Sequence, residues 1–220
     1  MESNFKKRII TSIFLISLLM LMFFYSYIMI ISVVIISIIA WIEFYALISK
    51  IFRKNNTKCK ILRFFCKAIS LFYLSGLVYL IFVIESDNSN LKIYFLYSVL
   101  VAIMSDIGGL VFGKIFKGKK LTKISPNKTI SGSMGSLIFS MLLIPFNFEN
   151  LFKENLLSIF VITIIISITT QIGDLFISSL KRKAKVKDTS DILPGHGGIL
   201  DRIDGIIFAI PVGIFLFIIV

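Results

Sequence analysis

The longest apolar run in the chain occupies positions 9–48 and contains a single charged residue, Glu43. A membrane-spanning helix needs about 20 mostly apolar residues, so this run is long enough for two such helices with a reversal near Tyr25. It is too long for a cleaved signal peptide, and we expect it to stay in the membrane. The whole chain is 57% hydrophobic and 16% charged, whereas soluble domains average about 45–50% and about 25%. The sequence therefore predicts an all-α integral membrane protein.

Further apolar segments raise the number of predicted transmembrane helices to about seven. They occupy positions 68–84, 93–112, 130–146, 156–177 and 203–220. The linkers between them are charged or rich in turn-forming residues, and the sequence shows neither a soluble domain boundary nor an internal repeat. We therefore predict one membrane domain over residues 1–220, with an N-terminal helical region at 1–99 and a second half at 100–220, which carries the polar motifs described below.

The basic residues lie mainly in the N-terminal tail and in segments 49–67, 113–129 and 178–202, which together hold 22 of the 24 Lys and Arg residues. Pairs of predicted helices separate these segments, and cytoplasmic loops carry the excess of Lys and Arg. We therefore expect a cell-membrane protein with a cytosolic N-terminus, and Cys59 and Cys66 as free thiols on the reducing side. The net charge of +12 can also indicate nucleic-acid binding. Because the charges form blocks between apolar runs, we favour membrane orientation and expect no nucleic-acid partner.

Several carboxylates lie inside or at the ends of the apolar helices, where charge is costly. An Asp at the bilayer centre costs about 2.5–3.5 kcal/mol, so such residues are usually functional or paired. The predicted topology brings four of them toward the cytosolic face: Asp106, Asp174, Asp201 and Asp204. Carboxylate oxygens are the ligands that Mg²⁺ prefers, with substrate phosphates completing its shell, so a shared site is predicted. For Glu43, which lies near the helix end and Lys50, we favour an interface residue that pairs with a nearby lysine or reaches water.

Two polar loops supply groups suited to phosphate. Lys128 and Thr129 precede a helix that opens with Ser131-Gly132-Ser133, and a helix N-terminus favours bound anions. The run Pro194-Gly195-His196-Gly197-Gly198 lets backbone N–H groups approach an anionic ligand closely. Together with the carboxylates, these loops predict phosphoryl or nucleotidyl transfer at the cytosolic surface. Orientation signals beside anionic lipid and a flexible turn are the alternative interpretations.

Residues 178–204 carry a more specific pattern. It reads Ser178-x-Leu180-Lys181-Arg182, four residues, Lys187-Asp188-x-Ser190, then Leu193-Pro194-x-His196-Gly197-Gly198-Ile199-x-Asp201-Arg202-Ile203-Asp204. This segment resembles the signature of the phosphatidate cytidylyltransferase (CDP-diglyceride synthase) family. Two further blocks are similar to that family: Gln171-Ile172-Gly173-Asp174 and Lys123-Ile124-Ser125-Pro126-Asn127-Lys128-Thr129. The resemblance covers about residues 100–210, and the chain departs from it at Ser131, where the family usually has Glu.

The resemblance implies the reaction CTP + phosphatidate → CDP-diacylglycerol + diphosphate, with CTP, phosphatidic acid and membrane lipids as partners. Carried over by position, Asp174 and Asp201 bind the metal, Mg²⁺ alone or beside K⁺. The basic residues that neutralise phosphate are Lys181, Arg182, Lys187 and Arg202. The residues expected to help hold the nucleotide or the lipid phosphate are Lys128, Ser125 and Thr129. The remaining candidate substrate-binding residues are Asp106, Asp188, His196, Gly197, Gly198 and Asp204.

Some interpretations stay open at this point. For His196 we favour a turn or binding residue over a general base. The resemblance also implies a homodimer, for which the sequence holds no motif. A CDP-alcohol phosphatidyltransferase needs a D-G-x2-A-R…G-x3-D-x3-D run, which the sequence lacks. A transporter using Asp106 and Asp174 predicts polar residues at mid-membrane depth in interrupted helices, whereas here they lie toward one face beside basic loops.

Overall fold

The computed structural model describes residues 2–54, 56–86, 91–122, 125, 128–145 and 155–219. Within them the regular structure is helical, and the β-type pairing consists of two isolated bridges. The helices are α1 Glu2–Phe24, α2 Ser26–Ile51, α3 Thr57–Ser86, α4 Leu91–Phe116, α5 Ile130–Met141, α6 Leu156–Lys183, α7 Leu200–Ile203 and α8 Ile206–Ile219. The all-α prediction is confirmed.

Five described segments are long and apolar enough to cross a membrane: α2, α3, α4, α6 and Leu200–Ile219, which comprises α7 and α8. The other two predicted spans correspond to shorter apolar helices, Ile9–Phe24 within α1 and α5. The prediction of a polytopic membrane protein is therefore confirmed, while the cytosolic N-terminus stays a prediction. Positions 146 and 220, at the ends of two predicted spans, and most of the predicted linker at 147–155 lie outside the described residues.

Several helices extend beyond the apolar runs that predicted them. Helix α3 begins at Thr57, well before the predicted start at 68, and α4 and α6 end at Phe116 and Lys183 instead of 112 and 177. Lys and Arg are good helix formers. Basic residues therefore mark where the apolar part of a helix stops, although the helix itself continues through them. The predicted linker at 49–67 is therefore mostly helical.

The chain forms two compact units. Unit 1 contains Met1–Ser86 and Leu180–Ile203, and unit 2 contains Asp87–Ser179 and Asp204–Val220. Helices α1, α2, α3 and α7 belong to unit 1, while α4, α5, α8 and most of α6 belong to unit 2. The assignment of a single membrane domain over 1–220 stays a prediction.

Unit 1 contains the predicted reversal. One residue with extended backbone, Tyr25 (φ −123°, ψ 107°), separates α1 from α2. The Thr11 hydroxyl in α1 donates to the Pro194 carbonyl at 3.1 Å, and Glu43 in α2 accepts from the Leu200 N–H at 2.8 Å. Because both helices contact the same segment of unit 1, α2 runs back along α1.

The pairing of α2 with α3 uses aromatic residues near the basic end of α3. The Trp41 indole N–H donates to the Lys67 carbonyl at 3.4 Å. The Lys67 ammonium lies 3.2 Å from the centroid of the Tyr45 ring, which is a cation–π contact. This end of the α2–α3 pair therefore combines charge with amphipathic aromatic side chains, as membrane interfaces commonly do.

The core of unit 2 is formed by α4, α6 and α8. Tyr94 of α4 stacks on Phe217 of α8 with ring centroids 4.4 Å apart. The buried Tyr97 hydroxyl lies 2.5 Å from Thr163 Oγ1 of α6. Hydroxyl pairs of this kind satisfy polar groups between helices where no water reaches them.

Candidate active site

The part of the signature segment that follows α6, up to Ile203, lies in unit 1. It forms a tight turn between Leu193 and Gly197. The Leu193 N–H donates to the Gly197 carbonyl at 2.8 Å, and the His196 N–H donates to the Leu193 carbonyl at 2.9 Å. Gly195 and Gly197 have positive φ angles of 76° and 84°, which residues with a Cβ adopt at a cost. The turn therefore explains the glycines at these two positions, of which the signature pattern specifies Gly197.

Asp201, at the start of α7, accepts hydrogen bonds on both oxygens. The Lys181 ammonium donates to Oδ1 at 2.6 Å. Oδ2 accepts from the Thr189 N–H at 2.8 Å, the Thr189 hydroxyl at 2.9 Å and the Gly198 N–H at 3.0 Å. Lys181 and Asp201 side chains are only 13% and 6% exposed, so this is a largely buried ion pair. The predicted neighbours Lys181, Gly198 and Asp201 are thus brought together.

Glu43 lies in a second carboxylate site that the sequence did not reveal. Its side chain is 2% exposed. Oε1 accepts from the Ser190 hydroxyl at 2.5 Å and the Ile199 N–H at 3.0 Å, and Oε2 accepts from the Thr189 hydroxyl and the Leu200 N–H, both at 2.8 Å. All these donors belong to the signature segment. The interpretation of Glu43 as an interface residue that pairs with a nearby lysine or reaches water is therefore wrong, because both oxygens are occupied by the loop.

One hydroxyl joins the two carboxylate sites. Thr189 Oγ1 lies 2.8 Å from Glu43 Oε2 and 2.9 Å from Asp201 Oδ2. A threonine hydroxyl carries a single hydrogen, so the two carboxylates share this donor. An added Cβ at Gly198 would collide with the side chains of both Thr189 and Glu43, which explains why a glycine lies here.

The Arg202 side chain contacts the backbone carbonyl of His196. The Arg202 Nε–H and Nη2–H groups donate to the His196 carbonyl at 3.1 and 2.5 Å. The His196 Nε2 atom lies 3.5 Å from the Ser12 hydroxyl of α1. The histidine is thus part of a turn that packs on α1, which agrees with the interpretation favoured from the sequence.

In unit 2, Lys128 and Asp174 form an ion pair in which both side chains are about one-quarter exposed, at 25% and 28%. The Ser178 hydroxyl donates to Asp174 Oδ1 at 3.2 Å. Thr129 caps α5, because its hydroxyl oxygen accepts from the Gly132 N–H at 3.1 Å. The structure thus brings Lys128 and Asp174 together, while the roles given to them stay predictions.

The other predicted residues lie in varied positions. Asp204 is buried and accepts from the Gly205 N–H at 2.9 Å, just before α8. Ser125 is buried, and its N–H donates to the Thr122 hydroxyl at 3.2 Å. Five predicted residues are exposed: Asp106, Arg182, Lys187, Asp188 and Arg202. Other members of the predicted loop lie outside the described residues, namely Lys123, Ile124, Pro126 and Asn127.

The two predicted metal ligands belong to different units, Asp174 to unit 2 and Asp201 to unit 1, and their shared site stays a prediction. Among the residues that the structure describes, no group of three or more His, Cys, Asp or Glu side chains is arranged to hold a metal ion. Mg²⁺ usually binds through one or two carboxylates together with substrate phosphates. The carboxylates of Asp174 and Asp201 are chemically suited to that kind of binding. Oδ2 of Asp201 accepts from three donors and Oδ1 from Lys181 alone, so Oδ1 has more lone-pair capacity left for a metal ion.

Sequence reasoning missed Glu43 and Thr189. The signal for Glu43 was present, because it is the only charge in the longest apolar run, and such a residue usually has a function or a partner. Thr189 occupies an unspecified position of the signature pattern, so nothing in the sequence distinguished it.

The fold and these sites define a polytopic helical membrane protein with one lysine–carboxylate pair in each unit and, in unit 1, a glycine-rich turn whose Gly198 N–H contacts Asp201. A family model described as the cytidylyltransferase family matches residues 2–220. The chain therefore belongs to the cytidylyltransferase family, and the resemblance seen in the signature is confirmed.

Several curated relatives are similar to this chain. The phosphatidate cytidylyltransferase of Staphylococcus haemolyticus is 47% identical over 120 residues, which is 54% of this chain and 46% of that protein. The protein of the same name from Rickettsia typhi is 40% identical over 141 residues, 60% of this chain and 61% of that protein. That of Staphylococcus aureus strain COL is 42% identical over 133 residues, 59% and 50% of the two chains. The chain thus spans between 46% and 61% of the length of these relatives.

Proposed function

We propose that this protein is a phosphatidate cytidylyltransferase, which converts CTP and phosphatidate to CDP-diacylglycerol and diphosphate. One observation carries the proposal. The carboxylate of Asp201, a residue of the family signature, is held in place by the Lys181 ammonium on Oδ1 and by three donors on Oδ2. The name shared by its relatives supports the same reaction. Nothing in the family match supports the transporter alternative.

The chemistry requires two polyanions to meet. A phosphate monoester has a second pKa of about 6, so phosphatidate is largely a dianion near neutral pH. Its phosphate oxygen attacks the α-phosphorus of CTP, the new P–O bond forms and diphosphate leaves with the electrons of the broken bond. No strong general base is needed, which agrees with His196 serving the turn.

The basic residues of the chain are suited to holding these phosphates. Arg182, Lys187 and Arg202 are exposed at the signature segment, where their charge is available to a substrate. Lys128 lies at the capped N-terminus of α5, where helix N–H groups also favour an anion. Two residues, Ser125 and Asp188, are assigned to the substrate by resemblance alone. The predicted topology also supports Asp106 and Asp204.

Asp174 and Asp201 are the residues that would hold Mg²⁺, alone or beside K⁺. The ion would neutralise phosphate charge on the substrates. Each carboxylate already has a lysine partner, so the same ammonium groups keep the carboxylates oriented before substrate arrives. We place the reaction at the cytosolic face of the cell membrane, where positive loops gather beside anionic lipid, and we infer a homodimer from the family.

The test is an assay of purified protein with labelled CTP, phosphatidate and Mg²⁺. We expect CDP-diacylglycerol to form, and to stop forming when EDTA removes the divalent ion. Asp201→Asn should reduce the rate at least about a hundredfold, the usual scale for a group that stabilises transition-state charge. Wild-type protein that makes no CDP-diacylglycerol overturns the proposal, and full activity of Asp201→Asn overturns the role of that residue.

A further inference from the structure

We propose that Glu43 is a positioning residue that anchors the signature segment to α2 and thereby fixes Asp201. The part of this inference that concerns activity rests on the proposed function. The structural part, that the Glu43 carboxylate holds residues 189–200, does not.

The first observation is how completely the loop surrounds this carboxylate. Each oxygen of Glu43 accepts one backbone N–H and one hydroxyl: Ile199 and Ser190 on Oε1, Leu200 and Thr189 on Oε2. All four donors are neutral groups, and Glu43 is 2% exposed. A buried charge is tolerated only when it is well hydrogen-bonded, so the loop and the carboxylate stabilise each other.

The second observation is that these bonds reach Asp201 from two directions. Thr189 contacts Asp201 through both its N–H and its hydroxyl, and the same hydroxyl contacts Glu43. Leu200, which donates its N–H to Glu43, directly precedes Asp201 in the chain. Displacing Glu43 therefore releases both the residue that binds Asp201 Oδ2 and the backbone that carries Asp201.

The substitution Glu43→Gln tests this with almost no change of shape. An amide keeps one acceptor oxygen and replaces the other with an NH₂ group, which only donates. Because each oxygen of Glu43 faces a backbone N–H, either orientation of the amide sets NH₂ against the Ile199 or the Leu200 N–H. Hydroxyl groups can rotate to accept, but these N–H groups cannot.

The direct measurement is amide hydrogen exchange, read by mass spectrometry with residue resolution on full-length protein in lipid nanodiscs. In Glu43→Gln we expect the amide that faces the NH₂ group, Ile199 or Leu200, to exchange about tenfold faster or more, as for loss of a hydrogen bond to a charged group. Amides of α4 in unit 2 should not change. The matched control is Asp191→Asn, the same chemical change at an exposed carboxylate of the same loop, which should leave both amides as they are.

Ser190→Ala removes a single donor from Glu43 Oε1 and serves as a milder variant if Glu43→Gln does not fold. It should increase exchange at Ile199 in the same direction by a smaller factor. Unchanged exchange at Ile199 and Leu200 in the variants overturns the inference. An equal increase in α4 also overturns it, because that result indicates a general loss of stability.

Activity supplies a second readout. A displaced Asp201 should raise the Mg²⁺ concentration that gives half-maximal rate in Glu43→Gln, while the KM for CTP at saturating Mg²⁺ changes less. A purely structural role would lower the amount of active protein and leave the Mg²⁺ dependence unchanged, which counts against the inference. Wild-type protein without cytidylyltransferase activity refutes the proposed function, yet leaves the exchange result to decide the role of Glu43.

Discussion

Among single residues, the two carboxylates that bind the signature segment, Asp201 within it and Glu43 in α2, are stabilised in different ways. Asp201 has a lysine partner in addition to neutral donors, whereas Glu43 has neutral donors only. Breaking a buried ion pair from one side is costly because the remaining charge keeps its desolvation penalty without compensation. Lys181 should therefore matter more than any other lysine near the end of α6.

We expect Lys181→Met to lower the rate of CDP-diacylglycerol formation about a hundredfold, which corresponds to about 3 kcal/mol for a broken buried pair. The physical reason is that Asp201 loses the cation on Oδ1 and no longer keeps its orientation. The matched control is Lys183→Met, since Lys183 is exposed on the same helix end. Equal rates for the two variants would contradict the role given to Lys181.

The sequence predicted part of this residue-scale picture. The signature singled out Lys181, Gly198 and Asp201, and the structure brings them together. The position of Glu43 beside Lys50 in sequence favoured the wrong partner, because a helix places residues seven apart on nearby faces. Its actual donors come from Thr189–Leu200, which no local pattern connects with α2.

Among the helices, close packing in unit 2 depends on glycine at the contact between α4 and α5. A Cβ added at Gly108 would collide with the Gly135 carbonyl and with Phe139, and one added at Gly135 would collide with Phe112. Small residues let membrane helices approach closely, since lipid gives them no hydrophobic reason to associate. The contact therefore depends on van der Waals packing at these positions.

We predict that Gly108→Ala lowers the free energy of unfolding by about 1–3 kcal/mol, as for overpacking in a well-packed interior. Gly76→Ala on α3 is the control, because an added Cβ there meets nothing within 4 Å. The control should be neutral or slightly stabilising, since Ala is the better helix former. Unfolding in detergent, followed by tryptophan fluorescence, measures both variants. A Gly108→Ala protein as stable as the wild type would show that α5 can shift.

At the scale of the whole molecule, the distribution of charge argues for a single orientation in the membrane. Helix α3 provides a test, because Cys59 lies near its first residue and Ser86 is its last. These positions are about 40 Å apart along a helix, more than the roughly 30 Å of the hydrocarbon core. The two ends of α3 should therefore lie on opposite sides of the bilayer.

We predict that Cys59 reacts with a membrane-impermeant maleimide only after cells are permeabilised, in a variant where Cys66 is replaced by serine. The physical reason is the basic segment 49–67, which favours the cytosolic side. The control is Ser86→Cys in a variant without the natural cysteines, which should react in intact cells. Labelling of Cys59 from outside would overturn the predicted orientation.

The sequence by itself determined the helical membrane fold and the family, because both depend on residues that lie close together in the sequence. In lipid every backbone N–H and C=O must be paired within the protein, so long apolar runs become helices whichever elements pack against them. Helix ends were less well predicted, since hydropathy marks where lipid ends and α3 continues past that point. Only the tertiary structure decided the hydrogen-bond partners of Glu43. A buried carboxylate binds whichever donors the packing brings to it, and here they come from a segment far along the chain.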